Sequence, residues 1–256
     1  MPPAATPDPA ALRRLTQFLA ANGSKLGKRA RAVVDEYGDD AVPLLIALAC
    51  DRDLGDEEAL GGGYVPIHAV TLLGERGDAR AVEPLLELVE QLDLDSIIYG
   101  TCIDALGKFG EALVEPALAL HARTKRADAR TAVAEALSDC GVKDERIFSI
   151  LCDRLTRDPE VAVTALTAYG DPAALPSIYE ALRVYLSKPR EVPMGIGGIN
   201  AFRRALEVLG GTMPPDLEAA AAAQRALQER ARTKFLSETG FSNIQQLPGF
   251  KAPRPR

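Results

Sequence analysis

The stretch HAVTLLGERGDARAVEPLLELV, residues 68–89, decides the fold. With Val65 just upstream, its Ala69, Leu72 and Leu73 fall on one helical stripe. Gly77 then closes that helix, because a left-handed C-terminal cap carries no Cβ penalty at glycine. Asp78 follows and can cap a second helix, AVEPLLELV. A lone helix–glycine–helix unit of this kind cannot bury its apolar face, so it requires neighbours built the same way.

The neighbours are present. EYGDDAVPLL, KFGEALVEPAL, DCGVKDERIFSIL and AYGDPAALPSI place glycines at 38, 110, 141 and 170, so the five glycines are 39, 33, 31 and 29 residues apart. Helices before these glycines repeat the buried stripe, as Ile98, Cys102, Ala105, Leu106 and Phe109, and again as Ala129, Val133, Ala136 and Leu137. Asp39 and Asp171 repeat the expected capping role of Asp78. Pro43, Pro84, Pro116 and Pro176 stand five to seven residues after a glycine, where each starts the regular helix or bends its first turn.

The pattern predicts an all-α chain, a right-handed α–α superhelix of about six helix pairs in one domain. The array is expected over 11–236, between a disordered Pro/Ala-rich N-terminus (1–10) and a C-terminal tail (237–256). Asp8-Pro9 supplies the first helix start, an N-cap followed by proline at N1. Two segments stretch the period, 51–64 and 187–200, and insertions in such arrays project from one edge, often on the binding side.

Composition agrees with this class. Hydrophobic residues make up 47% of the chain, with 7 Phe, 6 Tyr and no Trp, so Ala and Leu dominate the core. The net charge of −6 is uneven: +5 over 1–34, −15 over 35–120 and +4 over 201–256. An acidic middle disfavours nucleic acid as the main ligand and suits a basic protein partner. The cysteines at 50, 102, 140 and 152 lack zinc spacing and read as small buried hydrophobes of a reducing compartment. The N-terminus has no signal-peptide pattern and no apolar run is long enough for a membrane span, so a cytoplasmic location is expected.

The A-(apolar)-x-x-L-G-x-x-G-D-x-x-A-(apolar)-x-P-L-L-x-L pattern, best matched at 68–89, resembles the bacterial HEAT-like repeats named after phycobilisome lyases. CIDALGKFGEALVEPALALH and VTALTAYGDPAALPSIYEAL match well, and VAEALSDCGVKDERIFSIL is degenerate. The resemblance covers roughly 35–186, and more loosely extends to 236. It implies the solenoid fold and a range of roles, from bilin lyases and chaperones to scaffolds, hydroxylases and a DNA-repair glycosylase. Deoxyhypusine hydroxylases bind iron through His-Glu pairs, whereas His68 and His121 are each followed by Ala here. The glycosylases use a basic groove with tryptophan, which this chain lacks.

His68, in line with Val65 and Leu72, is expected to be a structural histidine, and His121 to sit near a helix C-terminus. MGIGGI (194–199) and GGGY (61–64) lack the strand and full motif of a phosphate loop and read as flexible insertions. Glu83, Glu87 and Glu90 stand at i, i+4 and i+7 on one helix, an acidic stripe that could meet a basic ligand on the concave face. No catalytic residue, cofactor or metal site is expected. The expected function is a non-catalytic protein-interaction scaffold, monomeric or weakly dimeric. The alternatives are a bilin lyase or chromophore chaperone, and nucleic-acid binding through the basic terminal helices.

Overall fold

The computed structural model describes residues 7–93, 95–187 and 197–239. Residues 1–6 of the expected disordered N-terminus, 188–196 of the second insertion and 240–256 of the expected tail lie outside the described residues. Among the described residues there are thirteen α-helices and no strand, an α–α solenoid in class. In chain order they form six first/second pairs plus one extra short helix. Two compact units divide the chain, 1–147 and 148–256.

The first unit opens with α1 (Pro9–Ala20), where Asp8 accepts hydrogen bonds from the Ala10 and Ala11 amides at 3.1 and 3.2 Å. The extra helix α2 (Lys28–Asp35) precedes α3 (Ala41–Cys50). Then come α4 (Tyr64–Arg76) and α5 (Val82–Gln91), α6 (Tyr99–Leu106) and α7 (Glu111–Arg123), and α8 (Ala127–Asp139). First helices α1, α4, α6 and α8 pack in succession, and second helices α3, α5 and α7 form the parallel row. The expected stripe of Val65, Ala69, Leu72 and Leu73 is fully buried between the rows, as are Ala129, Val133, Ala136 and Leu137. Ile98 departs from the expected stripe: it caps α6 from outside and is only half-buried.

α9 (Glu145–Arg154) carries the boundary between the units. In the second unit, α10 (Pro159–Tyr169) and α11 (Leu175–Ser187) precede α12 (Gly197–Val208) and α13 (Pro215–Thr239). α10 packs on α12 and α11 on α13. The core here centres on Phe202, fully buried with its ring centroid 5.4 Å from that of Tyr185.

All five recurring glycines have positive φ. Gly77 and Gly170 are left-handed caps whose amides return to Leu73 and Leu166. A Cβ at Gly77 would meet nothing within 4 Å, so substitution there tests backbone strain alone. Gly77→Val is expected to lower stability by about 1–2 kcal/mol in urea unfolding. An unchanged midpoint would refute the cap.

The capping aspartates act one step earlier than expected. Asp78 and Asp171 accept from the amides two residues on and cap 3₁₀ turns, Ala79–Ala81 and Pro172–Ala174, which lead into α5 and α11. Asp39 lies inside such a turn, Gly38–Asp40, and makes no side-chain cap. The α-helix proper therefore begins one or two residues before Pro43, Pro84 and Pro176, where a missing N–H needs no partner. Pro116 differs in lying within α7.

Gly61, Gly62 and Gly63 all have positive φ, and they fold the 51–64 insertion tightly rather than leaving it loose. A Cβ on Gly61 would stand 2.7 Å from the Ala20 Cα, and one on Gly63 would stand 2.8 Å from the Gly55 carbonyl oxygen. Backbone lies on backbone at both points, which only glycine permits. In MGIGGI likewise, Gly197, Gly198 and Ile199 open α12, with Ile199 fully buried, while 194–196 lie outside the described residues.

Candidate functional site: an acid-rimmed cleft beside the second helices

The folded insertion builds one wall of a cleft of about 340 Å³ in the first unit. The C-terminal ends of α3 and α5, the start of α4 and residues 92–93 and 95–98 of the linker after α5 supply the rest. Its less exposed lining, the floor, is mainly apolar: Ala49, Pro66, Ile67, Leu88, Leu92 and Ile98, with Ser96 among them. At the rim stand Asp51, Asp56, Asp93 and Asp95 against one cation, Arg52. Ile97 also lines the cleft and is 67% exposed.

Several rim charges are already engaged. The Arg52 guanidinium donates to the Gln91 side-chain carbonyl. Arg126 donates to Asp93 at 2.6 Å and to the Leu92 carbonyl at 3.0 Å, holding the linker against α8. Asp51 accepts from the Asp53 amide. Asp56 and Asp95 have no ion-pair partner among the described residues.

The acidic stripe of α5 runs toward this cleft. Glu83 and Glu87 are exposed, whereas Glu90 is half-buried and pairs with Arg123 of α7 at 3.0 Å. Cys50 ends α3 in the cleft wall and is exposed, where the sequence suggested a buried thiol. Desolvation by the wall raises its pKa, and the Glu87 charge adds to the rise. Burial likewise pushes Cys102 up to about 12. Both thiols therefore hold their protons at neutral pH, which makes them poor nucleophiles.

His68 is 3% exposed, stacks on Tyr64 and bonds through Nε2 to the Gly23 carbonyl at 2.7 Å. It joins α4 to the loop after α1, the structural role expected of it. His121 lies in the last turn of α7, also as expected. On α1, α2 and the loop between them, Arg13, Arg14, Lys25, Lys28 and Arg29 are exposed.

Sequence reasoning missed two features. The linker "QLDLDSII" (91–98) had a legible signal, an alternation of acid and apolar residues directly after the acidic stripe. The second is an Asp-x-Arg clamp. Arg80 folds back onto Asp78 and reaches the Asp39 carbonyl one repeat earlier. Arg146 does the same with Asp144 at 2.7 Å, and takes Glu115 of α7 at 2.6 Å.

The Arg146 guanidinium holds Asp144 down to about 2 and lowers Glu115 as well. Because both folded-state values lie below the unfolded ones near 4, the clamp stabilises fully above about pH 4. Its contribution is lost as pH falls toward 2. Arg146→Gln should thus melt below wild type at pH 6, with the gap closing between about pH 4 and 2. A gap independent of pH would refute the clamp.

Among the described residues no group of three or more His, Cys, Asp or Glu could hold a metal ion. No described helix is long and apolar enough to cross a membrane. No curated protein matches the chain. Residues 62–138, from the end of the folded insertion through α8, match the family model for HEAT repeats.

Proposed function

We propose that this protein is a non-catalytic interaction scaffold that grips a segment of a partner protein along the α5 face and in the adjoining cleft. HEAT repeats generally serve as protein-interaction scaffolds, and their stacked second helices offer an extended surface. The observation that carries the reading is the continuity of two features. The exposed carboxylates of Glu83 and Glu87 lead to a cleft whose floor is mainly apolar and whose rim is acidic. Such a surface suits a basic partner, steered by charge and held by apolar contact.

Glu90 takes a secondary part, since Arg123 already neutralises it. The motif at 68–89, with its further matches at 102–121 and 163–182, supports an affiliation with the HEAT-like repeats named after phycobilisome lyases. Four free thiols and the absence of a described membrane-crossing helix support a cytoplasmic setting.

Affinity capture from the native host tests the reading. Wild type should retain a protein that the Glu83→Lys/Glu87→Lys variant loses, with retention weakening as salt rises. Identical capture by both proteins, or none by either, would overturn it.

A further inference from the structure

We infer that the cleft is a socket for one basic side chain of the partner, an arginine or lysine whose hydrocarbon stem lies on the floor and whose cation meets the rim. The inference rests on the scaffold reading and names the chemistry of its contact.

The cleft is small, about 340 Å³, near the lower end of the ~300–1,000 Å³ range of ligand pockets. That is room for a long side chain and its flanking backbone. Pro66, Ile67, Leu88 and Ile98 make the floor mainly apolar. A neutral aliphatic anchor would satisfy this floor, yet it would also draw four aspartates toward a water-excluding contact. An acidic anchor would add to their repulsion. A cation with a long apolar stem satisfies both layers, because such side chains bury their methylenes and keep the charged head at the surface.

Asp56 and Asp95 are the rim carboxylates to receive it. Asp93 is taken by Arg126, and Asp51 caps its own turn. Asp56 belongs to the folded insertion and Asp95 to the linker after α5, so the two exposed carboxylates that line the cleft come from separate segments and would hold a cation from both. Arg52 does not compete for that place, being bound to Gln91. Ile97, exposed on the same linker as Asp95, would cover the stem.

The probes are small molecules that carry the two features separately, followed by amide shifts in ¹⁵N-labelled full-length protein. n-Pentylguanidinium and n-pentylamine should shift the amides of Leu88, Asp95 and Ile97 saturably, with millimolar affinity, as expected for ligands of under about ten heavy atoms. n-Pentanol should bind at least about fivefold more weakly, and pentanoate should leave these amides unmoved. Asp56→Asn/Asp95→Asn, a pair of exposed isosteric changes that spares the core, should weaken the cations about fivefold and leave pentanol unaffected.

Equal affinity for alcohol and cation, a preference for pentanoate, or no saturable shift would overturn the inference. Partner capture that depends on Glu83 and Glu87 would then still uphold the scaffold. Conversely, cation binding without any capture would uphold the cleft's chemistry for a basic side chain while removing the scaffold reading, and with it the partner as that side chain's source.

Discussion

Gly74→Val is expected to destabilise the first unit by about 3 kcal/mol or more. Gly74 lies inside α4, where glycine by itself weakens a helix by about 1 kcal/mol relative to alanine. A Cβ there would stand 2.7 Å from the Cα and 2.8 Å from the Cβ of Ala105 on α6. The obstacle is largely backbone, so neither helix can yield without separating from the other. Even Gly74→Ala should lose about 1–3 kcal/mol to overpacking, outweighing its gain in helix propensity. Urea unfolding followed by circular dichroism decides the matter. A Gly74→Ala protein as stable as wild type would show that propensity governs this position and that α4 and α6 are not in close contact.

The second large effect is expected in the other unit. Phe202→Ala should remove about 3–5 kcal/mol, since the ring is fully buried and packed against Tyr185. Val208, at 55% exposure on the same helix, provides the control, and its change to alanine should stay within about 0.5 kcal/mol. Because contacts in a repeat array are local, hydrogen exchange should accelerate most in α10 and α12. Protection unchanged in both helices of the Phe202 variant would refute its place at the centre of that core.

The motif at 68–89 made most of the fold legible. Apolar spacing located the first helices, and the glycine after each of them marked the turn, because those two signals have local physical causes. The other glycine of the pattern, Gly74, was legible only as a letter in a motif. Its cause is Ala105, thirty-one residues away, and Gly107 repeats the arrangement against Asp139. The same limit applies to the site. Glu83 and Glu87 could be placed on one helix face from spacing alone. The cleft could not, since its walls come from residues between 49 and 67 and from 88, 91–93 and 95–98, and meet only when α3, α4 and α5 pack. The GGGY stretch was misread as flexible for a related reason. Glycine is permissive as an isolated residue, and only the nearness of Ala20 and Gly55 turns that permissiveness into a constraint.

The bond between His68 and the Gly23 carbonyl has a consequence for synthesis. Its partners are 45 residues apart, and the contacts of Gly61 with Ala20 and of α4 with α1 span similar separations. A ribosome adding roughly 5–20 residues per second needs about 2–9 s to cover that distance. During those seconds Leu15 and Leu19 have no α4 to bury them, and the first helix leaves the ribosome as an amphipathic segment awaiting its template. The N-terminal end of the stack is thus completed from behind, and a pause in translation between residues 23 and 68 would prolong its exposure to chaperones and proteases.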